Sequence, residues 1–201
     1  MLTTDERKKI LRREPALEKF TRRYVGGNEF INNVERYCFW LVDATPNELS
    51  NKEIYRQLEG VKNFRLASKA TSTRKFAETP HLFCQIAQPT IDYLLIPQVS
   101  SERRKYIPIG FLSPKIICNA QALIIPAATI YHFGILTSSI HMAWMRTVSG
   151  RLEMRYMYSP SFYYNFPWPT VDAEQKILIE QTAQNILDVR AKYQGNREVG
   201  K

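Results

Sequence analysis

The chain has 201 residues and carries 28 Lys and Arg against 19 Asp and Glu, a formal net charge of +9. With 44% hydrophobic and 12% aromatic residues it is not a disordered polyelectrolyte, and at this length a core can form without a disulfide or metal staple. Cys38, Cys84 and Cys118 lie far apart with no CxxC pair, the first fifteen residues are charged with no apolar signal core, and the uncharged stretch Ile116–Met145 is broken by Asn119, Gln121, Pro126 and His132. These features argue against a disulfide framework and a zinc knuckle and predict a cytoplasmic chain with no membrane span.

Residues 5–23 form a charged, helix-compatible lead-in broken at Pro15, and Gly26-Gly27 marks a turn. Asn33 to Val42 is rich in aromatic and β-branched residues and predicts a strand. Thr45-Pro46-Asn47-Glu48 has the cap, proline and acid spacing of a helix start. One helix is expected to about Glu59 and a second, basic one over 61–78, with Lys62, Arg65 and Lys69 on one face. Short apolar strands are then expected at 81–87, 93–98, 105–111, 115–118, 121–125 and 130–136, separated by Pro and Ser turns. Ser138/Ser139 cap a short helix over 139–148, and Arg151–Tyr158 alternates as one further strand. Asn165-Phe166-Pro167-Trp168-Pro169 reads as a stiff corner. Residues 171–192, capped by Asp172, carry Ile177, Ile179, Ala183, Ile186, Leu187 and Val189 at amphipathic helical spacing. The fold class is α+β: N-terminal helices, a mixed or antiparallel small-stranded core and a C-terminal amphipathic helix.

The charge divides the chain into three. Residues 1–60 hold 11 basic and 10 acidic side chains, residues 61–170 hold 12 and 4, and residues 171–201 hold five of each. The expected organisation is a lead-in and helical segment (1–60), a recognition domain (61–170) and the start of a C-terminal helical region (171–201). A polyanion would meet the middle segment, although a basic surface also serves solubility.

Within that segment Arg151, Glu153 and Arg155 would share one face of an alternating strand. Arg can donate two hydrogen bonds to guanine O6 and N7 while Glu accepts from cytosine N4, so Glu153 and Arg155 could read one G·C pair; a same-face salt bridge is the plain alternative. Asn119 and Gln121 are a second period-two pair whose amides suit adenine N6 and N7, or equally a loop backbone. Ser101, Arg103, Arg104 and Lys105, together with Lys69, Arg74, Lys75 and Arg151, have the donors for phosphate contacts, which position a protein on DNA without reading sequence. His81, His132 and His141 have no metal-ligand spacing. No GxSxG, HExxH, GxGxxG or GxxxxGK[ST] is present, so no catalytic residue is assigned.

Several longer runs resemble the C-terminal part of the MmeI-like DNA methyltransferases of types IIG and IIL. They are Tyr24-Val-Gly-Gly-Asn-Glu-Phe-Ile-Asn, Arg36-Tyr-Cys-Phe-Trp-Leu-Val-Asp, Phe64-Arg-Leu-Ala-Ser-Lys-Ala, the run from Ser100 to Leu112, Tyr131-His-Phe-Gly-Ile-Leu-Thr-Ser-Ser, His141-Met-Ala-Trp-Met-Arg, Gly150-Arg-Leu-Glu and Tyr164-Asn-Phe-Pro-Trp-Pro. The resemblance covers about residues 20–193. It implies a target-recognition domain for a restriction–modification enzyme that methylates adenine N6, with double-stranded DNA and the methyltransferase domain of the same parent chain as partners. In that family the two alternating positions after Gly-Arg-Leu vary together between an acid–Arg and a Lys–Asp pair with the base pair read, which assigns Glu153 and Arg155 to guanine. The parent's cofactor would be S-adenosylmethionine. The glycine-rich loop that binds it and the Asn-Pro-Pro-aromatic motif are not in this sequence, which implies a fragment with no cofactor and no chemistry of its own. Two other classes stay open: a stand-alone DNA-modifying enzyme, and a protein–protein scaffold using Tyr156, Tyr158, Phe162, Tyr163 and Tyr164 as its interface.

Overall fold

The computed structural model describes residues 1–152 and 155–198. The chain begins with β1 (Leu2–Thr3), α1 (Thr4–Arg13), a 3-10 turn over Pro15–Phe20, β2 (Thr21–Val25), α2 (Gly27–Asn32) and β3 (Arg36–Phe39). Next come α3 (Pro46–Leu49), α4 (Lys52–Leu66) and α5 (Thr71–Lys75). The strands β4 (Tyr93–Pro97), β5 (Val99–Ser100), β6 (Gly110–Leu112), β7 (Ile117–Cys118) and β8 (Ala122–Pro126) follow. Then come α6 (Ile130–Leu136), α7 (Ser139–Val148), β9 (Arg151–Leu152), β10 (Arg155–Met157), α8 (Pro160–Tyr164) and α9 (Ala173–Glu198). The mixture of helices with small sheets is the expected α+β class.

By packing, the chain divides into two compact units. The first comprises residues 1–25, 34–88 and 115–117, and the second residues 26–33, 89–114 and 118–201. In the first unit Leu2, Ile10, Leu17, Phe20, Leu41 and Ile54 form the core, beside a sheet ordered β1-β3-β2-β7. Thr3 and Glu6 close a reciprocal capping box on α1, and Thr45 and Glu48 close the expected one on α3.

α4 corrects the expected break near residue 60. It runs without interruption through Gly60, although glycine costs a helix interior about 1 kcal/mol relative to alanine. Both ends hold it. Asn51 Oδ1 accepts from the Glu53 and Ile54 amides at 3.0 and 3.2 Å, and Ile54 is fully buried. Near the other end Arg65 is buried, so Lys62, Arg65 and Lys69 do not form one basic face. Its guanidinium donates to the carbonyls of Phe76 (2.7 Å), Thr79 (3.0 Å) and Leu82 (2.7 Å), and Lys69 lies past the end of the helix. The strand expected at 81–87 is irregular backbone instead. Phe83 stacks there with Tyr24 and meets Trp40 at a tilt, at centroid distances of 6.1 and 5.6 Å.

The second unit is built on β4, every residue of which is buried. β4 is the centre of an antiparallel sheet ordered β6-β4-β8. A strand buried on both sides reads as a continuous apolar run, as Tyr93-Leu94-Leu95-Ile96 does. Leu94 and Ile96 join Phe133, Leu136, Met142, Met145, Tyr158 and Ala183 in the core, and α2 packs on β4 as well. Of the expected 105–111 strand only residues 110 and 111 pair in the sheet, in a strand that runs on to Leu112, although Ile107 and Ile109 are buried.

Residues 130–136 were expected as a strand from their aromatic and β-branched content and form α6 instead. Caps and packing override the propensity here. The Thr129 amide donates to His132 Nδ1 at 3.1 Å, and α9 packs so closely that a Cβ on Gly134 would meet Ile179 Cγ2 at 2.9 Å. α9 itself has the predicted cap, Asp172 Oδ1 accepting from the Gln175 amide at 2.8 Å. Of its apolar residues, Ala183 and Leu187 pack on the core, whereas Ile177 and Val189 are half exposed. The corner at 165–169 is held by Trp168 Nε1 donating to the Tyr163 carbonyl at 3.1 Å and by the buried Phe166 ring.

Candidate nucleic-acid interface

In the second unit three of the segments singled out by sequence meet around Gln98–Ser101. β5, β10 and β9 form one small antiparallel sheet. Tyr156 pairs with Ser100 and Met157 with Val99. On the other edge Arg155 pairs with Leu152 and Tyr156 with Arg151. Arg151–Tyr158 is therefore not one alternating strand but two short antiparallel ones, and the shared face expected for Arg151, Glu153 and Arg155 does not follow from alternation. The pairing with β5 has no local sequence signal, since more than fifty residues separate the partners. Arg155 is exposed on β10, and Glu153 lies outside the described residues.

The cationic turn emerges directly from β5. Ser101 organises it: its Oγ accepts from the Arg103 amide at 3.3 Å and its carbonyl from the Arg104 amide at 3.1 Å. The side chains of Arg103, Arg104 and Lys105 are exposed. Arg103 Nε stands 4.0 Å from Glu102 Oε1, a pair open to solvent and correspondingly weak. Arg146 on α7 donates to the Lys105 carbonyl and ties the end of the turn down. The turn thus leaves the sheet from the strand paired with β10, at Ser100, which lies opposite Tyr156, the neighbour of Arg155 in sequence.

Asn119 and Gln121 sit not on a strand but in the turn joining β7 to β8, closed by the Ala122 amide donating to the Asn119 carbonyl at 3.2 Å. Asn119 Oδ1 accepts from the Gln121 amide at 2.8 Å, so this amide satisfies loop backbone, as asparagine commonly does. The side chain is also wedged against Gly26: a Cβ there would lie 2.1 Å from Asn119 Nδ2. Gln121 is exposed. Its carbonyl accepts from the Gln98 amide at 3.2 Å, and the Gln98 carbonyl accepts from the Tyr158 amide at 2.7 Å. Gln98 therefore links the Asn119–Gln121 turn to β10 through its backbone. No sequence motif marks it, because any residue type but proline supplies those two groups; the Gly26-Gly27 pair is the signal that a close approach occurs nearby.

Lys69, Arg74 and Lys75 belong to the first unit and are exposed. Arg74 folds back on its own segment, its Nη1 donating to the Ser68 and Lys69 carbonyls and its Nη2 to Thr71 Oγ1, each at 2.9 Å. That leaves fewer of its five donors for a partner. Arg151 lies in β9.

The described residues include no group of His, Cys, Asp and Glu able to hold a metal ion, and no helix long and apolar enough to cross a membrane. Burial pushes the Cys38 and Cys118 thiols up to about 12, which favours the protonated thiol over the thiolate.

The model of the MmeI target recognition domain matches residues 1–170. The chain belongs to that family. The match takes in every candidate contact residue and stops just short of α9. The domain is 45% identical to the type IIL restriction-modification enzyme MmeI, solved in complex with DNA, with a TM-score of 0.92 over 96% of this chain and 26% of that one. It is also 36% identical over 197 residues to DNA methyltransferase A of Bacillus subtilis (strain 168), covering 97% of this chain and 22% of that protein. The target recognition domain thus spans about a quarter of the relatives it matches. Of the aromatics considered as a protein interface, Tyr158 is buried, whereas Tyr164 is 78% exposed; the row does not form a single exposed patch.

Proposed function

We propose that the chain recognises a specific double-stranded DNA sequence as the target-recognition part of a larger restriction–modification adenine-N6 DNA methyltransferase. The cationic turn Ser101–Lys105 would hold phosphates, joined by Lys69, Arg74, Lys75 and Arg151. Glu153 and Arg155 would read a G·C pair in the major groove. Gln121 would reach a base edge, with Asn119 setting the turn that carries it. The parent's methyltransferase domain would use S-adenosylmethionine and take the target adenine out of the stack while this domain holds the site. The setting is the cytoplasm. One observation supports the reading most: the cationic turn follows directly on β5, and Arg155 stands on β10, the strand paired with β5 in one small sheet, in a fold matching that of a DNA-bound relative.

The test is duplex binding by this chain across a salt series, with calorimetry against S-adenosylmethionine alongside. Binding to DNA should fall steeply with salt, since each neutralised phosphate adds about 0.9 to the slope of log K against log salt. The calorimeter should register no saturable heat. Salt-insensitive binding would point to a protein interface, and saturable S-adenosylmethionine binding to a stand-alone enzyme.

A further inference from the structure

We propose that His141 and Tyr158 are a positioning pair that fixes the β9–β10 strands for sequence discrimination, an inference that rests on the DNA reading above. β10 passes from solvent to core within a few residues. Arg155 and Met157 are exposed and Tyr156 half-buried, but Tyr158, the next residue, is 2% exposed. There the chain is fastened twice. The Tyr158 amide donates to the Gln98 carbonyl, and the Tyr158 hydroxyl lies 2.9 Å from Nε2 of the fully buried His141. His141 in turn is set by α7, its amide donating to Ser138 Oγ at 3.1 Å, and by the Phe166 ring, edge-on at 4.5 Å.

This hydrogen bond lies in a core otherwise lined by apolar side chains. Replacing both partners of a buried hydrogen bond by apolar groups of similar shape is nearly neutral for stability, so burial alone has no need of an imidazole and a phenol here. What the polar pair adds is direction. It selects one rotamer of Tyr158 and one height for the strand leading into it, because Nε2 is the one ring nitrogen of His141 with a hydrogen-bond partner, Nδ1 being buried without one among the described residues. Two residues before Tyr158 the strand pairs with Ser100, next to the phosphate-type turn, and three residues before it stands Arg155. A bidentate Arg–guanine contact tolerates little displacement, whereas phosphate contacts through long side chains tolerate more.

The experiment compares the wild-type chain with Tyr158→Phe, which removes one hydroxyl. The preferred duplex is first selected from a randomised pool with the wild type. Affinity is then measured for that duplex and for a scrambled one of equal length. Tyr158→Phe should lower the ratio of the two affinities about three- to tenfold, while scrambled-duplex affinity stays within about twofold and the salt slope is unchanged. His141→Leu should match it, the double variant should be no worse than either, and His141→Gln, which keeps a polar partner for the hydroxyl, should recover most of the ratio. The double variant should melt near the wild-type temperature. A wild-type preference that Tyr158→Phe and His141→Leu both leave intact overturns the inference alone, as does an equal loss on both duplexes. A wild type with no preference overturns the DNA reading and this inference with it.

Discussion

Each of the two compact units carries a basic segment beside a secondary-structure end, and the donors in the two are occupied differently. In the first unit Arg65 is buried with its guanidinium on three backbone carbonyls, and Arg74 caps its own loop through three more bonds. In the second, Arg103, Arg104 and Lys105 follow β5 in a turn already closed by Ser101, and their side chains face solvent. A net charge treats these cations alike. Cations whose donors hold the fold together have fewer left to offer a polyanion.

Breaking this contrast should hurt stability in the first unit and binding in the second. Arg65→Met should cost about 3 kcal/mol, read by urea denaturation, because three carbonyls lose a charged donor in a buried setting. A comparable effect belongs to pH. Burial lowers the His141 imidazole to about 4, below its unfolded value, so the neutral form is favoured in the fold. That stability is complete above about pH 6.5 and is lost as pH falls toward 4, on the order of 3 kcal/mol. The difference in pH dependence between wild type and His141→Leu isolates it from the carboxylates. Gly26→Ala should cost about 2 kcal/mol by forcing Asn119 out of its turn, and Asn119→Ala in the same chain should recover part of the loss.

Arg155→Ala should lose about 1–3 kcal/mol of discrimination at one G·C position with the salt slope unchanged. Arg104→Ala should reduce that slope by about one and weaken all sequences alike, with Arg74→Ala having a smaller effect on it. The smallest effect is a gain. Gly60→Ala should stabilise the protein by about 0.5–1 kcal/mol, since the position is exposed in mid-helix and a Cβ there meets nothing within 4 Å.

What could be read ahead of the structure was what local chemistry determines. The Thr45–Glu48 and Asp172 caps, the Ser138 start of α7 and the buried β4 run are each encoded within a few residues. So was the family, through runs such as Ser100–Leu112 and His141–Arg146. Non-local pairing was not legible. Nothing in Val99-Ser100 announces β10 as its neighbour, and without that partner Arg151–Tyr158 reads as one strand. Residues 130–136 have strand propensity that the Thr129–His132 cap and the approach of α9 to Gly134 override. Arg65 looked like surface charge because its acceptors, carbonyls of residues 76–82, are brought to it only by the fold. Asn119 suits a base edge or a loop backbone by residue type alone, and its amide oxygen is engaged in the second way.

The most direct test of the central claim is selection from a randomised duplex pool with this chain and with Arg155→Ala. The account predicts that the wild type enriches one motif and that Arg155→Ala loses preference at a single G·C position of it, with affinity for unrelated duplex unchanged. No enriched motif, or a variant weakened equally on every sequence, would contradict it.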